Sequence, residues 1–164
     1  MATRQDIETH YDGHDDIFLK VLDPKYLAYS TGHWEAAVEI DAAQTAKFAY
    51  IAAQVALSDC RNVLEIGSGW GSFARYCHDH HPDLQVVGLT LSSTQKEYVD
   101  AQDWPNFTCI LADWRDFVAS EPFDAVVADH ESNELRWVAV DEVQSLPLHP
   151  GFASAWPELR TWLR

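Results

Sequence analysis

The sequence predicts an α/β fold built on a parallel sheet, and three observations carry that expectation. Short apolar runs recur through the middle of the chain, at Val63–Ile66, Leu84–Leu91, Phe107–Ala112 and Phe123–Ala128. The stretches between them read as a helix after the first, a helix after the second and a short helix or turn after the third. This β-α-β-α-β-α-β alternation argues for parallel strands with helices on both faces. The first run, finally, empties into a glycine-rich turn, Gly67-Ser-Gly-Trp-Gly71, before the next helix. Such a turn lets backbone approach a ligand closely at the carboxyl end of a strand, where open α/β sheets bind their ligands.

The elements follow in order. Residues 1–40 are polar and aromatic, and read as a helical cap with no core of its own. One or two short helices are expected between Thr9 and Asp23, a break at Pro24, and a glycine-turn loop over Tyr29–Trp34. Asp41 is a good N-cap, and Ala42–Leu57 is alanine-rich with an apolar stripe that includes Ala49, Ala52, Val55 and Ala56, so a helix is expected there. The core spans residues 41–128. The helix opening at Trp70 should stop near His80-His81-Pro82, and the one after Leu91 opens on the hydroxyl caps Ser92-Ser-Thr94. Residues 129–164 form an appendage: a polar break, a strand at Leu135–Val140, a short helix capped by Asp141, a turn at Pro147–Gly151 and a last helix over Phe152–Leu163.

Bulk composition narrows the function. A length of 164 residues suggests one domain, 47% of it hydrophobic. Seven Trp, seven Phe and six Tyr exceed what a small core needs, so some rings should line a pocket. A net charge of −15 is repelled by phosphate backbones and anionic bilayers, which argues against nucleic acid and membrane as partners. No apolar run reaches the length of a transmembrane span, and Met1–Thr9 has no signal-peptide core. The cysteines, Cys60, Cys77 and Cys109, are odd in number and lack C-x-x-C spacing, which points to reduced thiols and a cytoplasmic location.

The glycine pattern E-x-G-x-G-x-G at Glu65–Gly71 differs from the dinucleotide fingerprint G-x-G-x-x-G. Five further segments share its context: His10-Tyr11-Asp12 with Asp16-Ile-Phe18, Leu22-Asp23 through Tyr29-Ser30, Ala43-Gln44 with Lys47, Gly88-Leu-Thr-Leu-Ser92 with Gln95, and Asp113-Trp-Arg-Asp116. In this order they resemble the cyclopropane-fatty-acid and mycolic acid cyclopropane synthases, a branch of the class I S-adenosylmethionine (SAM) dependent methyltransferases. The resemblance covers about the first 128 residues. It implies a Rossmann-like class I methyltransferase fold with a truncated parallel sheet and an N-terminal helical cap, with SAM as the cofactor. It implies roles as well. Gly67 and Gly69 lie under the amino-acid and ribose part of SAM, and Glu65 supports that turn or the ammonium. Tyr29 and Ser30 bond the carboxylate. Thr90, Leu91 and Gln95 serve the ribose through neutral groups. Asp113 bonds the adenine amino group, and Trp114 stacks on the adenine face.

The departures fall on the acceptor side. The family's Y-S is followed by cysteine, whereas Thr31 stands here. Asp129–Glu134 aligns poorly with the family's E-H-containing acceptor segment, and the downstream His and Tyr of its active site are absent. Cyclopropanation needs a base, and the sequence locates none, so lipid cyclopropanation is not the expected reaction. Tyr11, His14, His130 and Glu131 are the candidates for acceptor contacts or proton removal, with His10 and His33 nearby in the aromatic region. The tail from His130 through Leu146-Pro-Leu-His-Pro-Gly-Phe152 to Trp156-Pro157 resembles the closing segment of Nudix hydrolases. The metal-binding Nudix box itself is nowhere in the chain, so that hydrolysis is not expected. Cys77-His-Asp-His-His81 has ligand residue types, but a helix end with exposed histidines explains it without a metal, and none is expected.

The expectation is therefore a SAM-dependent methyltransferase acting on a small-molecule acceptor in a biosynthetic pathway. Two alternatives stay open: a SAM cyclase or lyase acting on SAM itself, and a non-catalytic SAM-binding or interaction protein. A homodimer through the tail or the sheet edge also stays open.

Overall fold

The computed structural model describes residues 15–128, 143–145, 153, 156–157 and 160–162. Its centre is a four-stranded parallel sheet of order β3-β2-β1-β4, with β1 at Asn62–Ile66, β2 at Gln85–Thr90, β3 at Phe107–Leu111 and β4 at Ala125–Ala128. The register sets Leu64 beside Val87 and Val126, and Gly88 beside Glu65 and Cys109. The order reverses at β1, which runs between β2 and β4, and the glycine turn follows it. That is the switch point expected for a ligand site.

Alternation along each strand sorts the side chains onto two faces. Val63, Val86, Phe107, Ala125 and Val127 share one core with Phe48, Ala52, Leu57, Phe73, Tyr76 and Cys77. These come from α2 (Ile40–Gln54), a 3-10 turn at Leu57–Asp59 and α3 (Ser72–His80). Next along the same face lies α4 (Ser93–Asp100), whose Gln95 meets Thr90 of β2 and whose Lys96 Nζ donates to the Cys109 carbonyl of β3 at 2.8 Å. Leu64, Ile66, Val87, Leu89, Ile110 and Val126 point the other way, into a core with Trp114, Phe117, Phe123, Val143 and Trp156.

After β3 a short helix or turn was expected, and the structure has the turn. The segment between β3 and β4 turns without forming a helix. The Asp113 carboxylate accepts from the Arg115 backbone N–H at 2.9 Å, and the Asp116 N–H bonds the Asp113 carbonyl at 2.9 Å. An aspartate that binds the backbone two residues on closes a turn, and Trp114 and Phe117 of that loop then cover the sheet together with Trp156.

Helix α2 also differs from its expected limits. Ala43 N–H bonds the Glu39 carbonyl at 3.0 Å, so Glu39 is the N-cap and Asp41 lies in the first turn, where its charge still suits the helix dipole. The buried stripe is Ala43, Gln44, Phe48 and Ala52, while Ala49 is exposed. Alanines define a face weakly; Phe48, the bulkiest apolar side chain of the segment, sets the phase. The hydroxyl cap on α4 is as expected, with Ser92 Oγ accepting from Gln95 N–H at 3.2 Å.

Helix α1 (Asp15–Val21) belongs to the cap and buries Phe18 against Leu27 and Trp70. In the tail, Val143–Ser145 is a single 3-10 turn within the expected short helix. Ala153, Trp156 and Pro157 are helical and Arg160–Trp162 is 3-10, within the expected last helix. The expected strand at Leu135–Val140 lies outside the described residues. Among the described residues no helix is long and apolar enough to cross a membrane.

Candidate functional site

The glycine turn is held by backbone geometry. Gly67, Gly69 and Gly71 all have positive φ (83°, 53° and 78°), a region other residues enter only with strain. Gly67 and Ser68 both donate their N–H to the Leu89 carbonyl, at 3.0 and 2.8 Å, so the turn is pinned to β2.

Above it opens a cavity of about 640 Å³, within the usual range of small-molecule sites. Of the residues expected to hold the cofactor, Tyr29, Ser30, Glu65, Gly67, Gly69, Thr90, Leu91, Gln95 and Trp114 all line it. They come from the cap, β1, β2, α4 and the loop after β3, so the fold brings together positions as far apart as 29 and 114. Asp113 is the exception: it is not among the lining residues, and its carboxylate accepts from Arg115 Nη1 at 2.8 and 3.1 Å. Trp114 packs with the second core, and the Arg115 guanidinium lies 4.8 Å from its ring centre.

Tyr29 and Ser30 reach the cavity because their loop is laid directly on α2. His33 N–H bonds the Ala43 carbonyl at 2.8 Å, and Gln44 Nε2 donates to the Ser30 carbonyl at 2.8 Å. Gly32 makes this possible, since a Cβ there would stand 2.6 Å from the Ala43 Cβ. On the opposite wall, Thr90 Oγ1 donates to Gln95 Oε1 at 2.8 Å and accepts from Ser92 N–H at 3.2 Å.

The site also contains groups whose polarity is not satisfied by the protein. Glu65 is 7% exposed, and its Oε2 has no hydrogen-bond partner. Burial pushes its carboxyl up to about 8. Trp70 Nε1, also at the cavity, is likewise buried and unpartnered. Lys47, to which the sequence alone assigns no role, donates its Nζ to Ser30 Oγ at 2.7 Å and lines the cavity. Burial pulls its ammonium down to about 8 against the opposing pull of Asp23. Spacing could have signalled it, because Gln44, Lys47 and Phe48 fall on one side of a helix at i, i+3 and i+4.

The remaining candidates are elsewhere. Tyr11, His14, His130, Glu131 and His10 lie outside the described residues. His33 stands at the edge of the loop, with its Nε2 3.8 Å from Glu35 and its ring against Tyr50, and does not line the cavity. His78 stacks on Trp104, while His80 and His81 pack around Tyr76. No group of possible metal ligands gathers among the described residues. Cys60, Cys77 and Cys109 are free, and burial raises all three thiols, Cys109 to about 11, which makes them poor nucleophiles.

Comparison with known proteins identifies the family. The family model for mycolic acid cyclopropane synthetase matches residues 1–134. Cyclopropane-fatty-acyl-phospholipid synthase of Escherichia coli K12 is 35% identical over 120 residues, covering 73% of this chain and 30% of that protein. Cyclopropane mycolic acid synthase MmaA2 of Mycobacterium tuberculosis is 36% identical over 130 residues, covering 76% and 44%. The solved MmaA2 structure superposes with a TM-score of 0.70 at 31% identity, over 88% of this chain and 50% of that one. Mycolic acid cyclopropane synthase CmaA1, solved in complex with SAH and CTAB, gives 0.69 at 31%, over 77% and 45%. The chain thus spans about a third to a half of the length of these relatives. The fold is the Rossmann-like one of SAM-dependent methyltransferases, and the chain belongs to the mycolic acid cyclopropane synthetase family.

Proposed function

We propose that the cavity is a SAM site and that the chain is the donor-binding part of a methyl-transferring enzyme. The observation that supports this most is the convergence of Tyr29, Ser30, Glu65, Thr90, Gln95 and Trp114 on one cavity at the switch point of the sheet. The residues also fit the ligand chemically. Glu65 is a buried acid lacking a partner, which suits an ammonium. The Thr90–Gln95 bond uses the amide oxygen and leaves the amide N–H groups of Gln95 for ribose hydroxyls. Trp114 offers an aromatic face for adenine. Bound SAM supplies an already activated methyl group. The chain's own work is to align donor with acceptor and exclude water. The Phe18–Leu27–Trp70 cluster, packed at the cavity's edge, suits the second task.

The acceptor proposed is a small molecule with an apolar reacting carbon. Ile51, Val55, Phe73 and Val127 make much of the cavity wall apolar, and the relatives carry fatty-acyl and mycolic acid acceptors in their names. A biosynthetic role in the cytoplasm accords with that chemistry. Titration calorimetry with SAM and with SAH tests the site: saturable binding of both is expected, and binding of neither overturns the reading. Product analysis then separates the alternatives. Consumption of SAM without any acceptor would establish cyclase or lyase chemistry instead, and binding without turnover on any acceptor would establish a non-catalytic SAM-binding protein.

A further inference from the structure

Lys47 stands out among the groups left without a counterpart. Among the described residues lining the cavity it is the only cation, in a chain of net charge −15. Its Nζ donates to the Ser30 hydroxyl at 2.7 Å and lies 4.4 Å from the centre of the Phe48 ring. No carboxylate among the described residues forms an ion pair with it. The one acid that acts on it, Asp23, is already engaged: its two oxygens accept from the backbone N–H groups of Tyr26 at 2.6 Å and Ala28 at 2.7 Å. A largely desolvated ammonium with only a hydroxyl and a ring beside it is an incomplete arrangement, because a buried charge is stabilised by an opposite charge.

Glu65 in the same cavity is incomplete in the opposite sense, with an unpartnered acid oxygen. The two do not bond each other. An acid and an amine held apart in one cavity complement a ligand that carries an ammonium and a carboxylate on one short chain.

We infer that Lys47, together with the Ser30 hydroxyl it holds, is the cationic recognition site for the carboxylate of an amino-acid-bearing ligand, and so determines the preference for intact over decarboxylated donor. This inference rests on the SAM-site reading and adds to it a specificity residue. The burial that lowers the Lys47 ammonium to about 8 is the expected state of a cation awaiting an anion. Arginine keeps the charge, whereas methionine keeps the stem that packs on Phe48 and removes the charge.

The test is a ligand comparison on the whole chain. Binding of SAM, SAH and decarboxylated SAM is measured by calorimetry for wild type, K47M and K47R, with circular dichroism checking the fold. K47M is expected to weaken SAM and SAH by about tenfold or more, the scale of a charged hydrogen bond. It should leave decarboxylated SAM unchanged, and K47R should restore much of the loss. Equal weakening of all three ligands by K47M would make Lys47 a structural residue and overturn the inference, as would unchanged binding of SAM. Should K47M fail to fold, K47Q is read by the same criteria. Failure of wild type to bind SAM at all is a different outcome, and removes the SAM-site reading itself.

Discussion

The two faces of the sheet are built differently. One carries α2, α3 and α4 over Val63, Val86, Phe107 and Val127, and supplies Phe48, Glu65, Thr90 and Gln95 to the cavity, whose remaining wall includes Leu89 and Trp114 of the second core. The other is covered by Trp114, Phe117 and Phe123 from the loops around β3 and β4, and by Val143 and Trp156. Val143 and Trp156 lie beyond the residues that match the family model, which end at 134. The helix-clad face is therefore made wholly from family sequence, while the loop-clad face is completed by residues that are not. Burial alone does not distinguish them: Val63 and Leu64, neighbours on opposite faces, are both fully inaccessible. What differs is the polar content. Glu65, Gln44, Thr90 and Gln95 are all buried on the side of the helices and the cavity, and the core of the other face is apolar and aromatic.

Truncating one large ring on each face breaks the comparison most directly. Phe48 packs against Tyr26, Phe73 and Tyr76 and lines the cavity. Trp156 is 5% exposed and packs with Leu64, Leu89 and Phe123. Phe48→Ala and Trp156→Ala should each cost about 3–5 kcal/mol in chemical denaturation. Only Phe48→Ala should also weaken SAM binding in the folded protein. Equal loss of ligand affinity in both variants would show that the faces are coupled and not separate in function.

The pH dependence of stability isolates the polar content. Burial raises the Glu65 carboxyl from 4.5 to about 8. Between those values the folded state keeps a proton that the unfolded chain has released, so this group's contribution is complete below pH 4.5 and is lost as pH rises toward 8. The expected slope is on the order of 1 kcal/mol per pH unit. E65Q should flatten it, while Leu64→Val, one residue away on the apolar face, should lower stability without altering the slope.

Much of this organisation was legible in the sequence. Strand periodicity placed β1 to β4 because apolar runs bounded by glycine and polar turns have few other solutions, and ordered motifs located the cavity residues from Tyr29 to Trp114. What the sequence left open shares a physical cause. After β3 a short helix or turn was expected, and the Asx turn at Asp113 decides between them, a competition between side chain and backbone that a short segment does not announce. In that turn the Asp113 carboxylate is occupied by Arg115. In α2 and at its C-cap, Ala52 and Val55 of the expected stripe face the core while Ala49 is exposed, because alanines carry little burial energy, and Lys47 is unassigned because its meaning depends on Ser30, seventeen positions earlier. The candidates for acceptor chemistry, Tyr11, His14, His130 and Glu131, lie outside the described residues.

Gly88 sharpens the comparison through sterics. A Cβ there would stand 2.5 Å from the Phe107 ring and 2.8 Å from the Ser68 Cβ. Gly88→Ala should cost about 1–3 kcal/mol, the scale of overpacking. Because Ser68 belongs to the glycine turn, the displacement should also reach the ligand. A thermal shift without any change in SAM affinity would mean that Phe107 alone absorbs the strain.

The smallest effect is expected at the cap of α4, and it tests how tightly the polar groups of the helix-clad face are linked. Ser92 Oγ accepts from Gln95 N–H, Ser92 N–H donates to Thr90 Oγ1, and Thr90 Oγ1 donates to the Gln95 side chain. Ser92→Ala removes only the first of these bonds, and its stability cost should be about 1 kcal/mol. A cap that served the helix alone would stop there. Here the freed N–H belongs to Gln95, whose side chain lines the cavity. Fraying of that first turn should therefore loosen the Thr90–Gln95 pair and weaken SAM severalfold, whereas a ligand lacking the ribose hydroxyls should be little affected. Equal weakening of both ligands would show that the cap sets helix position in general and not the polar groups proposed for the ribose.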